Sequence, residues 1–343
     1  MTACYREDIR AVADSPMIDW CLFRNQRVLI TGGTGLLGRL LTQALLERNR
    51  VYGDDITVLL PVRNAERAAF LYGGCEPWLD ISEAELTQIR GERFRADFIL
   101  HCAAPTQSAF FVTKPVETID AIAGGTKALL EHARATGCKG MVFLSSMEVF
   151  GAAGKELLEE EDLGSLSLTN LRSSYPEAKR LAELMCCAYA GEYGLPVKIA
   201  RLAQTFGPGV SSSDGRVFMQ FCKAIKEGTD IVLHTPGDGV INYCYPTDAV
   251  LGILKVLQCG QAGQAYSLVN DDPAVNLRQV AQWLIDTYGR EGQTLRFDFR
   301  GAEKYAVSNH SKISNGKARS LGWIPVYSVQ QGYERLMKDL GVI

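Results

Sequence analysis

Histidine is scarce in this chain. Four occur among 343 residues, His101, His132, His234 and His310. No two stand at the spacing that sets paired imidazoles on one helical face, so no metal centre is expected. The ten cysteines include no Cys-x-x-Cys pair, and Cys186-Cys187 is an adjacent pair in a helical stretch. Scattered thiols of this kind suit a reducing compartment, so a cytoplasmic location is expected. A basic surplus is also lacking. The 36 Lys and Arg face 39 Asp and Glu, a net charge of −3, and no global field attracts nucleic acid or an anionic membrane. No apolar run approaches the roughly 20 residues of a membrane span. Arg6, Glu7, Asp8 and Arg10 interrupt any signal-peptide pattern. What remains is an ordinary globular composition, 47% hydrophobic and 22% charged, long enough for one large domain or two lobes.

Residues 1–25 read as an appended arm. Ile9, Val12 and Ala13 sit at helical spacing, and Met17, Ile18 and Trp20 suit a staple to the body. From Arg27 onward short apolar strands alternate with amphipathic helices. Strands are expected at 27–30, 56–60, 98–101, 141–145 and 197–202, and helices at 36–47, 116–136 and 175–193. That alternation implies an α/β, doubly wound parallel sheet covered on both faces, with ligands beyond the carboxyl ends of the strands. After about residue 208 the pattern loosens. We divide the chain into the arm, a Rossmann-type domain over 26–207 with returning segments near 240–270, and a smaller C-terminal substrate-binding lobe over most of 208–343.

The first strand runs into Thr31-Gly32-Gly33-Thr34-Gly35-Leu36-Leu37-Gly38 and then a helix. Glycine supplies the tight turn and lets a backbone approach a pyrophosphate, which then faces the helix amino end. The strand–turn–helix setting makes this a dinucleotide site rather than a chance glycine string. Gly32, Thr34, Gly35, Leu36 and Leu37 are the candidate contacts. An acid after the second strand would hold a ribose 2′-hydroxyl, whereas an arginine suits a 2′-phosphate. The residue there is Arg63, which favours NADP over NAD.

The strand 141–145 ends in Ser145-Ser146, and Tyr175 and Lys179 follow at i and i+4 on one helical face. A phenol ionises near pH ~10. A nearby ammonium favours the phenolate, which then takes a proton from a substrate hydroxyl. Ser146 would hydrogen-bond the same oxygen as it becomes a carbonyl. Glu148 is a candidate proton carrier, with a structural carboxylate as the alternative. Arg172 suits a carboxylate or a phosphate, with a loop salt bridge as the alternative. The run Glu159-Glu160-Glu161-Asp162 reads as a solvated loop, His101 as a buried structural histidine, and Cys102 and Cys244 as lacking any basic partner.

At these residues the chain resembles the extended short-chain dehydrogenase/reductases of the nucleotide-sugar epimerase/dehydratase group, over roughly 26–335. The pieces that carry the resemblance are Thr31–Gly38; His101-Cys102-Ala103-Ala104; Gly125-Thr126; Ser145–Gly151; Tyr175-x-x-x-Lys179; Gly207-Pro208-Gly209; Gly237-Asp238-Gly239; Tyr245-x-x-Asp248; and Leu321-Gly322-Trp323-x-Pro325. The resemblance implies NAD or NADP as cofactor, with Ala103 and Ala104 against it and Tyr175 and Lys179 at its nicotinamide ribose. It implies a nucleotide-sugar substrate oxidised transiently at carbon four, with Arg172 and Gln204 among its contacts, and a homodimer. Glu148 and the run Arg172–Arg180 are similar to UDP-glucuronate decarboxylases; Met147 departs from the Asp-Glu pair of dehydratases. Ile241 and Ile122 replace an arginine and an asparagine of many relatives, and an adenine-contacting aspartate is sought at Gly73-Gly74-Cys75. The leading expectation is therefore an epimerase, dehydratase or decarboxylase. A simple NADPH-dependent carbonyl reductase is the alternative. A dinucleotide sensor without turnover is disfavoured by the intact Ser-Tyr-Lys set.

Overall fold

Val28, Leu29 and Ile30 are all fully buried, on opposite faces of one strand. Val28 and Ile30 pack with Leu40, Leu41 and Ile253, while Leu29 packs with Leu129, Leu130 and Ala178. A strand buried on both sides needs helices on both sides, and that arrangement belongs to parallel sheets. A computed structural model describes residues 1–74, 76–270, 275–300 and 310–343. Its main sheet has strands β1 (Arg27–Thr31), β2 (Thr57–Val62), β3 (Leu79–Glu83), β4 (Phe98–His101), β5 (Gly140–Ser146), β6 (Val197–Leu202) and β7 (Ala265–Leu268). They lie in the order β7-β6-β5-β4-β1-β2-β3, and every neighbouring pair is parallel. The strand order reverses between β1 and β4, where a doubly wound sheet opens its ligand crevice.

The α-helices of eight residues or more are α1 (Ala3–Ala13), α2 (Leu36–Tyr52), α3 (Ala65–Tyr72), α4 (Gly125–Thr136), α5 (Ser174–Tyr193), α6 (Val217–Glu227), α7 (Pro246–Cys259), α8 (Leu277–Tyr288) and α9 (Val329–Asp339). α2 and α7 cover one face, with α1 laid over them, and α4 and α5 cover the other. A separate core of Phe206, Phe218, Phe221, Leu284, Tyr333 and Leu336 gathers α6, α8 and α9. Residues 246–268 return from this cluster to the sheet as α7 and β7. No described helix is long and apolar enough to cross a membrane.

Three local expectations differ from the structure. β3 was not expected, because Leu79-Asp80-Ile81-Ser82-Glu83 alternates weakly at a half-exposed edge. The helix expected over 116–136 is interrupted by a π-helical turn at Asp120–Gly124, which buries Ile122. The acidic run is not wholly solvated. Glu160 is 5% exposed, and its carboxylate accepts the Ser267 N–H of β7 at 2.7 Å. Among the described residues no group of three acidic, histidine or cysteine side chains is arranged to hold a metal.

One buried acid ties the last segment to the sheet. Asp248, in the first turn of α7, accepts the Val326 and Tyr327 N–H groups at 3.0 Å each. Its other oxygen is buried without a partner. Burial raises its pKa to about 7, although the two backbone donors oppose this. The folded state therefore holds a proton that the unfolded chain loses near pH 3.8. Stability falls as pH rises between those two values, by on the order of 1.4 kcal/mol per pKa unit. Asp248→Asn should flatten that slope in urea unfolding at pH 5 to 8, because the amide oxygen still accepts both donors. An unchanged slope would assign the dependence to another group.

Candidate active site

The glycine turn closes β1 onto the start of α2. Gly32 has φ +69°, and a Cβ there would meet the Ala103 nitrogen at 2.8 Å; a Cβ on Gly38 would meet the Gly32 carbonyl oxygen at 2.4 Å. The turn thus lies directly against the Ala103 backbone, whose N–H donates to Thr31 Oγ1 at 3.2 Å. Gly33, which the spacing did not single out, is needed too, since a Cβ would lie 2.2 Å from Leu60 Cδ1. Gly35 caps α2 without a side-chain bond, leaving the amides at Leu36 and Leu37 free of any cap. A bare helix amino end behind side-chain-free backbone fits a diphosphate. Thr34, Leu36 and Leu37 are half-buried around it, and Ala104 packs under the rim. Arg63 follows β2 and is exposed. Gly73 and Gly74 sit beyond α3, and Cys75 lies outside the described residues.

His101 fixes this corner from below. It is 1% exposed, and its ring nitrogens lie 2.8 Å from Thr31 Oγ1 and 3.2 Å from Thr126 Oγ1. Burial lowers its pKa to about 3, so the ring is a neutral bridge among β1, β4 and α4. Burial pushes the Cys102 thiol up to about 12 and the Cys244 thiol up as well, which removes both as nucleophiles near neutral pH.

Ser146, at the end of β5, meets the first turn of α5. Tyr175 is 8% exposed, and the Ser146 side chain lies near enough to draw its pKa down. Burial raises the phenol to about 12, opposed by Ser146 and by the guanidiniums of Arg172 and Arg216. Phe111 stacks on the Tyr175 ring at 4.2 Å between centroids. Lys179 lies one turn further along α5, 3% exposed. Its ammonium donates to the Leu144 carbonyl at 2.6 Å and sits 4.6 Å from the Phe143 ring centroid. Burial lowers it to about 8. The serine, tyrosine and lysine are thus brought together beside the crevice.

Glu148 and Arg172 are brought together as well. Arg172 donates from both terminal nitrogens to the two Glu148 oxygens, at 2.7 and 3.0 Å. Each side chain keeps about a third of its surface exposed, and Arg172 lies 5.5 Å from the Phe111 ring centroid. Gln204 lies on a short strand, Gln204–Thr205, paired with Tyr243–Cys244. Ile241 packs into the C-terminal core, so no cation stands there. Arg216 was missed by the sequence reading. It is held by Asp214 through Nε and a terminal nitrogen at 3.1 and 2.7 Å, and lies 4.6 Å from the Phe218 ring centroid. A lone arginine after a serine-rich loop carries no local signal; only the fold turns it toward Tyr175.

The comparisons agree with this geometry. The model of the NAD dependent epimerase/dehydratase family matches residues 28–270. UDP-glucuronic acid decarboxylase 6 of Arabidopsis thaliana is 29% identical over 244 residues, 70% of this chain and 68% of the relative. UDP-glucuronic acid decarboxylase 1 of Danio rerio is 28% identical over 316 residues, 91% and 72% of the two chains. Among solved structures, an epimerase from Methanothermobacter thermautotrophicus superposes with TM-score 0.80 at 21% identity, covering 96% and 95%. dTDP-glucose 4,6-dehydratase from Streptomyces venezuelae, with NAD bound, gives 0.74 at 24%, covering 92% and 97%. With the glycine turn, the Ser-Tyr-Lys set and this match over residues 28–270, the chain belongs to the NAD dependent epimerase/dehydratase family of enzymes.

Proposed function

We propose that this enzyme remodels a nucleotide-linked sugar through a transient 4-keto stage, by epimerisation, dehydration or decarboxylation. The observation that carries the reading is the convergence of Ser146, Tyr175 and Lys179 at the strand ends that also hold the glycine turn, with the Lys179 ammonium on the Leu144 carbonyl and 5.9 Å from the Tyr175 ring centroid. The bound dinucleotide supplies reversible hydride acceptance. Gly32, Thr34, Gly35, Leu36, Leu37, Ala103 and Ala104 would hold it, with Tyr175 and Lys179 at its ribose. Tyr175 takes the proton of the substrate hydroxyl, and Ser146 bonds the oxygen as it becomes a carbonyl. The Lys179 ammonium offsets the charge that Tyr175 acquires. Glu148, oriented by the Arg172 fork, is the carboxylate for proton movement at the keto stage. Arg172 and Gln204 face the substrate.

Residues 26–207 with the returning 240–270 segment serve as the dinucleotide domain, and most of 208–343 as the substrate lobe. A cytoplasmic homodimer completes the reading. Its test is product analysis by mass spectrometry with UDP-glucuronate, UDP-glucose and dTDP-glucose. Alteration of one of them without net cofactor consumption is expected. Steady NADPH consumption on a simple ketone, with all three sugars unchanged, would overturn the proposal in favour of a carbonyl reductase. The exposed Arg63 and the apolar Ile241 favour that second reading.

Arg63 at the end of β2 is the proposed reader of a 2′-phosphate, which makes NADP the favoured form. Arg63→Asp should shift the ratio of NADP to NAD affinity toward NAD by roughly tenfold or more, the worth of one charge-assisted contact. An unmoved ratio would show that Arg63 does not touch the cofactor.

A further inference from the structure

The N-terminal helix lies outside the family match, yet it is pinned beside the glycine turn. Asp8, fully buried, accepts the Tyr245 hydroxyl at 2.8 Å and an Arg335 nitrogen at 2.8 Å. The same arginine donates to the Cys4 carbonyl at 3.0 Å. These bonds fix the first turns of α1 and with them Tyr5. Tyr5 is 2% exposed, and a Cβ on Gly209 would meet its ring at 2.7 Å. Its other neighbour is Arg39, whose guanidinium carbon lies 5.0 Å from the ring centroid. Both residues hold something in reserve. The Tyr5 hydroxyl and Arg39 Nε are buried without a hydrogen-bond partner, and no described carboxylate pairs with Arg39.

Arg39 follows Gly38, the last glycine of the turn, and helical side chains lean toward the amino end. That lean carries its guanidinium toward the turn. Tyr72 marks the same spot from the other side, donating to the Gly33 carbonyl at 2.6 Å; its phenol raises the pKa of Tyr5, and the Arg39 charge lowers its own. A cation and a phenol, each with an unspent donor, therefore border the backbone that fits a diphosphate. Neither has a protein acceptor, and an anion supplies one to both.

We propose that Arg39 and Tyr5 receive a phosphate group of the dinucleotide, so that the N-terminal arm is part of the cofactor site. The inference rests on dinucleotide binding alone and stands or falls separately from the sugar chemistry. Its test is calorimetric titration of the full chain, freed of endogenous cofactor, with NAD and with NADP. Arg39→Met should weaken binding about tenfold or more, and Tyr5→Phe, which keeps the ring and the arm's packing, by several-fold. Equal losses for both dinucleotides would place the contact on the pyrophosphate, and a loss confined to NADP would place it on the 2′-phosphate; either supports the proposal. Wild-type affinity for both dinucleotides in both variants would overturn it. So would a lowered melting temperature with unchanged affinity of the folded protein, since the two groups would then serve packing only.

Discussion

Tyr175→Phe is expected to lower turnover by about 10²–10⁴-fold, the usual worth of a positioned acid–base group. Phenylalanine keeps the stack on Phe111 and removes only the proton carrier. Dinucleotide binding should be largely kept, because the glycine turn and the start of α2 are untouched and only the single hydroxyl contact at the ribose is given up. The pH profile of the parent enzyme should carry a related signature. Lys179 titrates near 8 because it is buried. Its ammonium is present below that value and lost above it, and Tyr175 then loses a positive neighbour. Turnover should accordingly decline as pH rises through about 8. The measurement is product formation from whichever nucleotide sugar proves to be altered, with dinucleotide titration in parallel. Full turnover in Tyr175→Phe would remove the phenol from the chemistry and with it the proposed division of roles.

Much of this site was legible in the sequence because its parts are local. The glycine turn declares itself within eight residues, since the steric demand that excludes a Cβ at Gly32 and Gly38 arises from Ala103 and from the turn itself. Tyr175 and Lys179 share a helical face by spacing alone. The strands of the sheet interior were legible as short apolar runs because both of their faces are buried. β3 was not, because this edge strand has an exposed acid on each face, Asp80 and Glu83, and no run of buried apolar residues. The Arg172–Glu148 fork joins residues 24 apart, through the meeting of the β5 end with the α5 start. Each residue was read separately, and nothing in either segment names the other. Phe111 reaches Tyr175 by tertiary packing, the Arg216 charge acts on Tyr175 electrostatically, and the arm reaches Arg335 across 327 residues of chain. Function-bearing pairs were thus visible where the helix period made them, and hidden where the fold did.

That long-range pair carries the largest expected change in stability. Arg335→Met should destabilise the protein by about 3–5 kcal/mol, the usual result of stripping the partner from a buried charge. Asp8 has a side chain only 1% exposed and would keep just the Tyr245 hydroxyl as a strong donor. Burial already raises the Asp8 pKa, and Arg335 is the first group that holds it down. Without the arginine the folded pKa climbs further above its unfolded value. The sign of the pH dependence follows. Between the parent's folded pKa and the variant's higher one, the variant keeps a proton that the parent has already released, so the defect grows as pH rises through that window. Above it the carboxylate is buried unpaired and the defect levels off at its full size. Urea unfolding should therefore show a larger loss at pH 8 than at pH 5. Asp8→Asn in the same background should recover a substantial part of the loss, because no charge is then left stranded, and the double-mutant cycle reads the coupling directly. Equal losses at both pH values, with no recovery in the double variant, would mean that Arg335 stabilises α1 through its contacts with the Tyr245 and Tyr327 rings and not through its pairing with Asp8. The charge would then be incidental to holding the N-terminal helix across α2 and α9.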